Sequence, residues 1–316
     1  MRFDRPMRVV SRDVERVWGG QRLRRADPPI GEVWLVSGDA EIIVGPCSGI
    51  TLDAAVAAHG AAIVGRDWSG LGRFPLLIKL IDSAGWLSLQ VHPDDAQAVS
   101  FEGEGASGKS EAWHVLDAAP GAEVMAGFDR PVDLADLDDP AARRDLVAAT
   151  RRFGIRPGDT LYLAAGTVHA IGPGLVIYEV QQPSDITYRV YDWDRPASAA
   201  RPLHIDQARA VIDTHARVEP LPIPAAADGA WDRLVTCRFF TLDTLTLCDG
   251  SVTVESDRAG CHVLTAVEGQ AMVTGEGWEE RLIPHESLVL PAGLDGYHIS
   301  GMSGARLLRA GGPGTS

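Results

Sequence analysis

The stretch GDTLYLAAGTVH, residues 158–169, reads as a short apolar strand, a tight turn of small residues and the start of a second strand. It aligns without gaps to HESLVLPAGLDG, residues 285–296, so the chain carries an internal repeat and two related halves are expected. The first copy ends in His169 and the second in Gly296, so a donor for a metal is expected only in the first half.

Outward from the repeat, apolar runs of strand length recur at 32–36, 41–44, 76–81, 86–91, 112–116, 161–164, 174–180, 239–247, 262–267 and 287–290. Gly and Pro punctuate nearly all of them. Three stretches, 51–65, 135–153 and 204–214, are Ala-rich or apolar at helical spacing and read as helices. The repeat pattern GxxxxxPxGxxH resembles the second motif of the cupins, with Ala164 in place of Pro in the first copy. That resemblance implies jelly rolls. The expected fold is therefore mainly β, with two cupin-like jelly-roll domains and a few inserted helices. The Pro- and Ala-rich segment EPLPIPAAADG places the boundary. Residues 1–217 are expected to form the N-terminal domain with the metal, 218–230 a linker, and 231–316 a C-terminal domain without metal.

A net charge of -14 repels a phosphate backbone, and no cluster of cations with interleaved aromatics offsets it, so nucleic acid is excluded as a partner. An anionic substrate would need a local positive pocket. The chain uses 27 Arg and only two Lys, Lys79 and Lys109, which marks those two as positions where a compact ammonium is needed. Cys47, Cys237, Cys248 and Cys261 lie far apart without a CxxC pair and read as reduced and mostly buried. The N-terminus has no apolar signal core and no run is long enough to span a bilayer, so no membrane association and a cytoplasmic location are expected.

In SLQVHPDD, Gln90 and His92 are two apart in a strand and share a face, while Val91 points away. In SGKSEAWHV, Glu111 heads an apolar strand and needs a cation or exposure, and Lys109, two residues earlier, is an available partner. In AAGTVHAIG, glycines and small residues surround His169, as in a hairpin whose tip closely approaches a bound atom. Together Gln90, His92, Glu111 and His169 offer two imidazoles, a carboxylate and an amide oxygen, a set suited to zinc, with Mn, Fe or Co also possible. His114 stands at an odd offset from Glu111 and belongs to the opposite face.

The segments FPLLIKLIDSAGWLSLQVHPDD, GKSEAWHVLDAAPGAEVMAG and PGDTLYLAAGTVHAIGPGLVIYEVQQPSDITYRVYDWDR together resemble class I mannose-6-phosphate isomerases of the short bacterial type. The resemblance extends to RVWGGQRL near the start and LVLPAGL near the end. It implies one zinc per chain on Gln90, His92, Glu111 and His169, and an active-site arginine, Arg189. It also implies functional positions at Glu179 and Lys109. Ala112 and Ala164 depart from the family pattern, which has Cys and Pro there, and neither is a ligand.

An aldose-ketose isomerase moves a proton between C1 and C2, commonly through a cis-enediol, while charge develops on the two oxygens. Lys109 and Arg189 are the cations assigned to that charge. Glu179, in an otherwise apolar strand, is the proton carrier expected, with Asp185 as a second candidate. Arg189 and Lys79 are the cations available to a phosphate. The expected activity is interconversion of mannose 6-phosphate and fructose 6-phosphate by a monomer or weak homodimer acting on a small sugar phosphate. The same residues also suit an isomerase of another aldose, or a cupin that binds a sugar phosphate without turning it over.

Overall fold

The computed structural model describes residues 2–196, 201–221 and 227–313. Strands dominate, with short helices between them. By packing, the chain forms two compact units. One comprises Met1–Arg12, Trp34–Lys79 and Ile223–Ser316, the other Asp13–Val33 and Leu80–Pro222.

The division is discontinuous, unlike a single cut at 218–230. Residues 1–12 and 34–79 join the C-terminal half through backbone hydrogen bonds that no local pattern announces. Met7 and Val289 exchange both of theirs, Ala292 and Gly293 donate to Ile63 and Ala62, and Cys261 donates to Val64. Of the expected linker, residues 222–226 lie outside the described residues. Its flanks are tied down, Leu221 by donation to Thr160 and Asp228 by a bridge to Thr246.

One sheet, whose strands lie mostly in the unit made of Asp13–Val33 and Leu80–Pro222, runs in the order Thr160–Leu163, Glu111–Ala118, Leu175–Gln181, Leu77–Ser83, Arg12–Gly20 and Ile30–Val36. The other runs Tyr188–Tyr191, Leu89–Val91, His169–Ile171, Glu123–Phe128 and Thr150–Gly154. Alternation gives each strand two faces. Trp113, Val115, Leu161, Leu163, Leu175 and Ile177 from the first sheet meet Val124, Ala126 and Ile171 from the second in one core. The opposite face of the second sheet carries Leu89, Val91, Met125, Ala170, Tyr188 and Val190, which pack with Leu146, Ala149, Ala208 and Val211 of the helices Pro140–Ala149 and Ile205–Val211. The helices are thus a cover for one sheet, and they leave its inner face to function.

The helical expectations need three corrections. The stretch 51–65 is two helices, Leu52–His59 and Ala61–Val64, broken at Gly60. The stretch 135–153 becomes helical only at Pro140, which sits at the first helical position where its missing N–H costs nothing, after the cap Asp139; residues Thr150–Gly154 are strand. A helix at Asp95–Glu102 was not expected, although Asp94 and Gln97 form a capping box in the sequence.

In the remaining unit the larger sheet is built on two long strands, His262–Gly275 and Gly296–Gly311, which pair along most of their length. Gly296–Gly311 pairs first with Ser251–Glu255 and then with Thr241–Leu247, and the inward side chains of the sheet form a second apolar core. The repeat is visible in the backbone. Thr167 donates to Ala164 O at 3.1 Å, and at the aligned positions Leu294 donates to Pro291 O at 3.0 Å. Replacing Pro with Ala164 keeps the turn because the position contributes only a carbonyl. The copies differ at their last residue: Gly296 has φ +156, and a Cβ there would lie 2.7 Å from Val254 O.

Truncating the core residue Ile177, which is fully buried, should remove about 2–5 kcal/mol of stability in Ile177→Ala. Val17→Ala, at a residue 66% exposed, should stay within about 0.5 kcal/mol of the native protein in the same denaturant titration.

Candidate metal centre

His92, Glu111 and His169 converge in the unit containing Leu80–Pro222, all three buried, with one donor atom from each within 4.8 Å of the others. His92 follows the strand Leu89–Val91, His169 opens His169–Ile171, and Glu111 opens Glu111–Ala118 of the facing sheet. Nε2 of His169 lies 3.3 Å from Glu111 Oε1, and Nε2 of His92 lies 3.5 Å from Oε2.

Backbone carbonyls fix which ring nitrogens face inward. His92 Nδ1 is 2.8 Å from Ile186 O and His169 Nδ1 is 2.9 Å from Thr167 O. A carbonyl can only accept, so both Nδ1 atoms carry the proton and both Nε2 atoms present a lone pair to Glu111. His92 Nε2 and both Glu111 oxygens are sealed from solvent and complete no hydrogen bond of good geometry. Orphaned buried acceptors on an imidazole and a carboxylate, with the second imidazole facing the same carboxylate, fit a divalent cation.

Charge is arranged to match. Burial, aided by the nearby Lys109 ammonium, pushes the His92 imidazole down to about 3, and burial lowers His169 too, so both are neutral near pH 7. For Glu111 burial works against ionisation, but the Lys109 ammonium outweighs it and holds the carboxyl well below its ordinary value. The Lys109 ammonium lies 3.1 Å from Glu111 Oε2. Burial opposes its charge, yet Glu111 first, then Glu179 and Asp185, keep its pKa above the usual lysine value.

The loop carrying Lys109 is stitched in place by backbone groups. Lys109 N donates to Pro93 O, Gly108 N to the Asp95 carboxylate, Ala165 N to Ser110 Oγ and Gly166 N to His92 O. Gln182 accepts from Ser110 N at 2.9 Å and donates to Asp95 at 2.9 Å, joining the same pieces.

Gln90 is half-buried, and its amide nitrogen is 3.3 Å from His169 Nε2, while its oxygen accepts from Ser88 Oγ at 3.1 Å. Arg189 is the register partner of Gln90 on the neighbouring strand, so it shares that face. Its Nε donates to Ser88 Oγ at 3.2 Å and its Nη1 to Pro202 O at 2.9 Å. Glu179 is 3% exposed, pairs in register with Trp113 and accepts a 3.0 Å hydrogen bond from its indole. Trp113 in turn meets His169 edge-on at 5.3 Å. Asp185 is exposed and contributes to the field on Lys109. Lys79 belongs to the other unit, where its ammonium lies 4.8 Å above the Trp34 ring. His114 faces away from Glu111 and contacts Thr160 Oγ1 at 2.8 Å.

Sequence reading passed over Ser88, Trp113, Gln181 and Gln182. Ser88 and Trp113 were signalled by their even offsets from Gln90 and Glu111. Gln182 acts through the backbone of a distant loop, which no spacing reveals.

Between the unfolded value of 6.5 and about 3, the unfolded chain binds a proton that folded His92 refuses. Stability of the metal-free protein should therefore fall as pH drops through that window, by up to about 1.4 kcal/mol per pH unit from this group. Denaturant titrations near neutrality and about two pH units lower check this, and in His92→Asn the loss on acidification should shrink by roughly 1–2 kcal/mol.

Residues 16–109 match the family model for phosphomannose isomerase type I, catalytic domain. The chain is 34% identical to a mannose-6-phosphate isomerase of Streptococcus mutans over 316 residues, covering 94% of this chain and 95% of that protein. Its fold is similar to the crystal structure of the mannose 6-phosphate isomerase from Bacillus subtilis, with TM-score 0.81, 28% identity and coverage of 96% and 99%. A zinc-bound mannose 6-phosphate isomerase shares the fold at TM-score 0.74 and 18% identity, over 98% of this chain and 99% of that one. Similarity to the Streptococcus protein over almost the full length of both chains places this chain in the type I mannose-6-phosphate isomerase family.

Proposed function

We propose that this protein interconverts mannose 6-phosphate and fructose 6-phosphate with one zinc ion held by His92, Glu111, His169 and Gln90. The observation that carries the reading is the sealed Glu111 carboxylate facing two imidazole lone pairs, with both Glu111 oxygens and His92 Nε2 completing no hydrogen bond of good geometry. Two nitrogens and carboxylate oxygen suit zinc. Gln90 joins through its oxygen once its amide is turned over, a change that Ser88 tolerates because a hydroxyl accepts as well as donates. Bound there, the ion supplies Lewis acidity toward the oxygens at C1 and C2.

The protein's own groups do the rest. Lys109, kept charged by its carboxylate neighbours, stabilises negative charge developing on those oxygens. Glu179 carries the proton between C1 and C2, its carboxylate oriented by the Trp113 indole. Arg189 is assigned to the phosphate. Burial, then Arg201 and Arg16 nearby, loosen its hold on its own proton, so a dianion placed among these cations relieves their repulsion. Lys79 and Asp185 are the remaining candidates for contact with substrate.

Among the described residues no helix is long and apolar enough to cross a membrane. None of Cys47, Cys237, Cys248 and Cys261 forms a disulfide, with Cys248 exposed and Cys47 half-buried rather than sequestered. Free thiols support a cytoplasmic location. We infer a monomer or weak homodimer, since each donor proposed for the metal comes from one chain.

Chelation should abolish isomerisation and zinc should restore it, and full activity in protein verified as metal-free would exclude the metal role. Turnover of mannose 6-phosphate but not free mannose distinguishes this reading from an isomerase of unphosphorylated sugars. No turnover with retained binding would indicate a sugar-phosphate-binding module. Glu179→Gln should keep its zinc and slow exchange of the C2 proton with solvent by roughly 10²–10⁴-fold.

A further inference from the structure

Gln181 is fully buried and stands directly opposite Glu111 in the register of the strands Leu175–Gln181 and Glu111–Ala118. Opposed residues of an antiparallel pair share a face, with Cβ atoms about 4.5–5.5 Å apart. Gln181 therefore looks toward the same interior as Glu111, Trp113 and Glu179.

Its carboxamide has one defined orientation. The nitrogen donates to Gln182 O at 3.2 Å and to Ser184 O. Both partners are carbonyls, which accept only, so the nitrogen cannot be exchanged for the oxygen without losing both bonds. The carboxamide oxygen is left sealed from solvent with no hydrogen bond. A buried amide oxygen without a donor is unfavourable, because its lost hydration is not offset by a hydrogen bond. Orphaned acceptors of the metal centre, at Glu111 on this face and at His92 from the facing sheet, line the same interior.

The geometry points to Gln181 as a substrate-binding residue, its oxygen accepting a hydrogen bond from a non-reacting hydroxyl of the sugar phosphate, at C3 or C4. A sugar offers what the oxygen needs, an O–H donor, and the oxygens at C1 and C2 are committed to the reacting centre. A carboxamide held rigidly by two carbonyls adds discrimination, because an analogue lacking the hydroxyl leaves the acceptor unpaired. This inference rests on the isomerase reading, which turnover of mannose 6-phosphate by the native protein tests separately.

The experiment compares binding of mannose 6-phosphate with its 3-deoxy and 4-deoxy analogues, for the native zinc-loaded protein and for Gln181→Met, with zinc content and thermal midpoint recorded for each sample. The native protein should bind one of the two analogues roughly 10- to 100-fold more weakly than the parent sugar. Gln181→Met should retain zinc, raise KM for the parent sugar by a similar factor with kcat less affected, and bind that analogue and the parent alike. Equal binding of all three ligands by the native protein overturns the proposal even if the variant does not fold. So does a folded variant that preserves the native discrimination, or one whose only defect is loss of zinc.

Discussion

Everything around the centre follows from keeping the Glu111 carboxylate ionised where water cannot reach it. An uncompensated charge there would protonate or unfold its surroundings. Lys109 supplies the compensation at one oxygen, and it can do so because its loop is fixed from several sides by backbone hydrogen bonds. The composition fits this constraint. A chain that otherwise chooses arginine keeps its two lysines at positions 3% and 4% exposed. A compact ammonium suits such confined positions better than a planar guanidinium.

The strand's two-residue period then distributes duties. Leu89 and Val91 face the helices while Gln90 turns to the interior, and Ala112 and His114 face away while Glu111 and Trp113 turn inward. Three short segments far apart in sequence meet because two sheets present their inner faces to one another. Most of that shared space is apolar core, and the polar groups are concentrated toward the strand ends at Glu111, His169 and Gln181. Packing of the rest of the interface sets the positions of these ends, so the site draws its rigidity from residues that never touch a ligand.

Much of this was legible in the residues. Even spacing gave Gln90 with His92 and excluded His114, and the glycine-rich turn singled out His169. Alternation is a local property, so local reading suffices for it. The helix Asp95–Glu102 was missed despite its capping box because only Ala98 among its residues is buried, which leaves a weak apolar stripe. The assembly of residues 34–79 with the C-terminal half depends on hydrogen bonds between positions more than two hundred residues apart, such as Ile63 with Ala292. The orphaned oxygen of Gln181 was equally hidden, since a missing partner can be seen only when every neighbour is known.

The duplicated turn has a consequence for how the two halves can change. At its last residue the metal-bearing copy places a side chain, whereas the other copy has a backbone conformation at Gly296 suited to glycine and a carbonyl where a side chain would begin. Reintroducing histidine there would strain the backbone before any donor could reach an ion. Loss of the donor in the second copy is therefore locked in by the path of the main chain, and a new metal site in that half would have to begin by rerouting the strand.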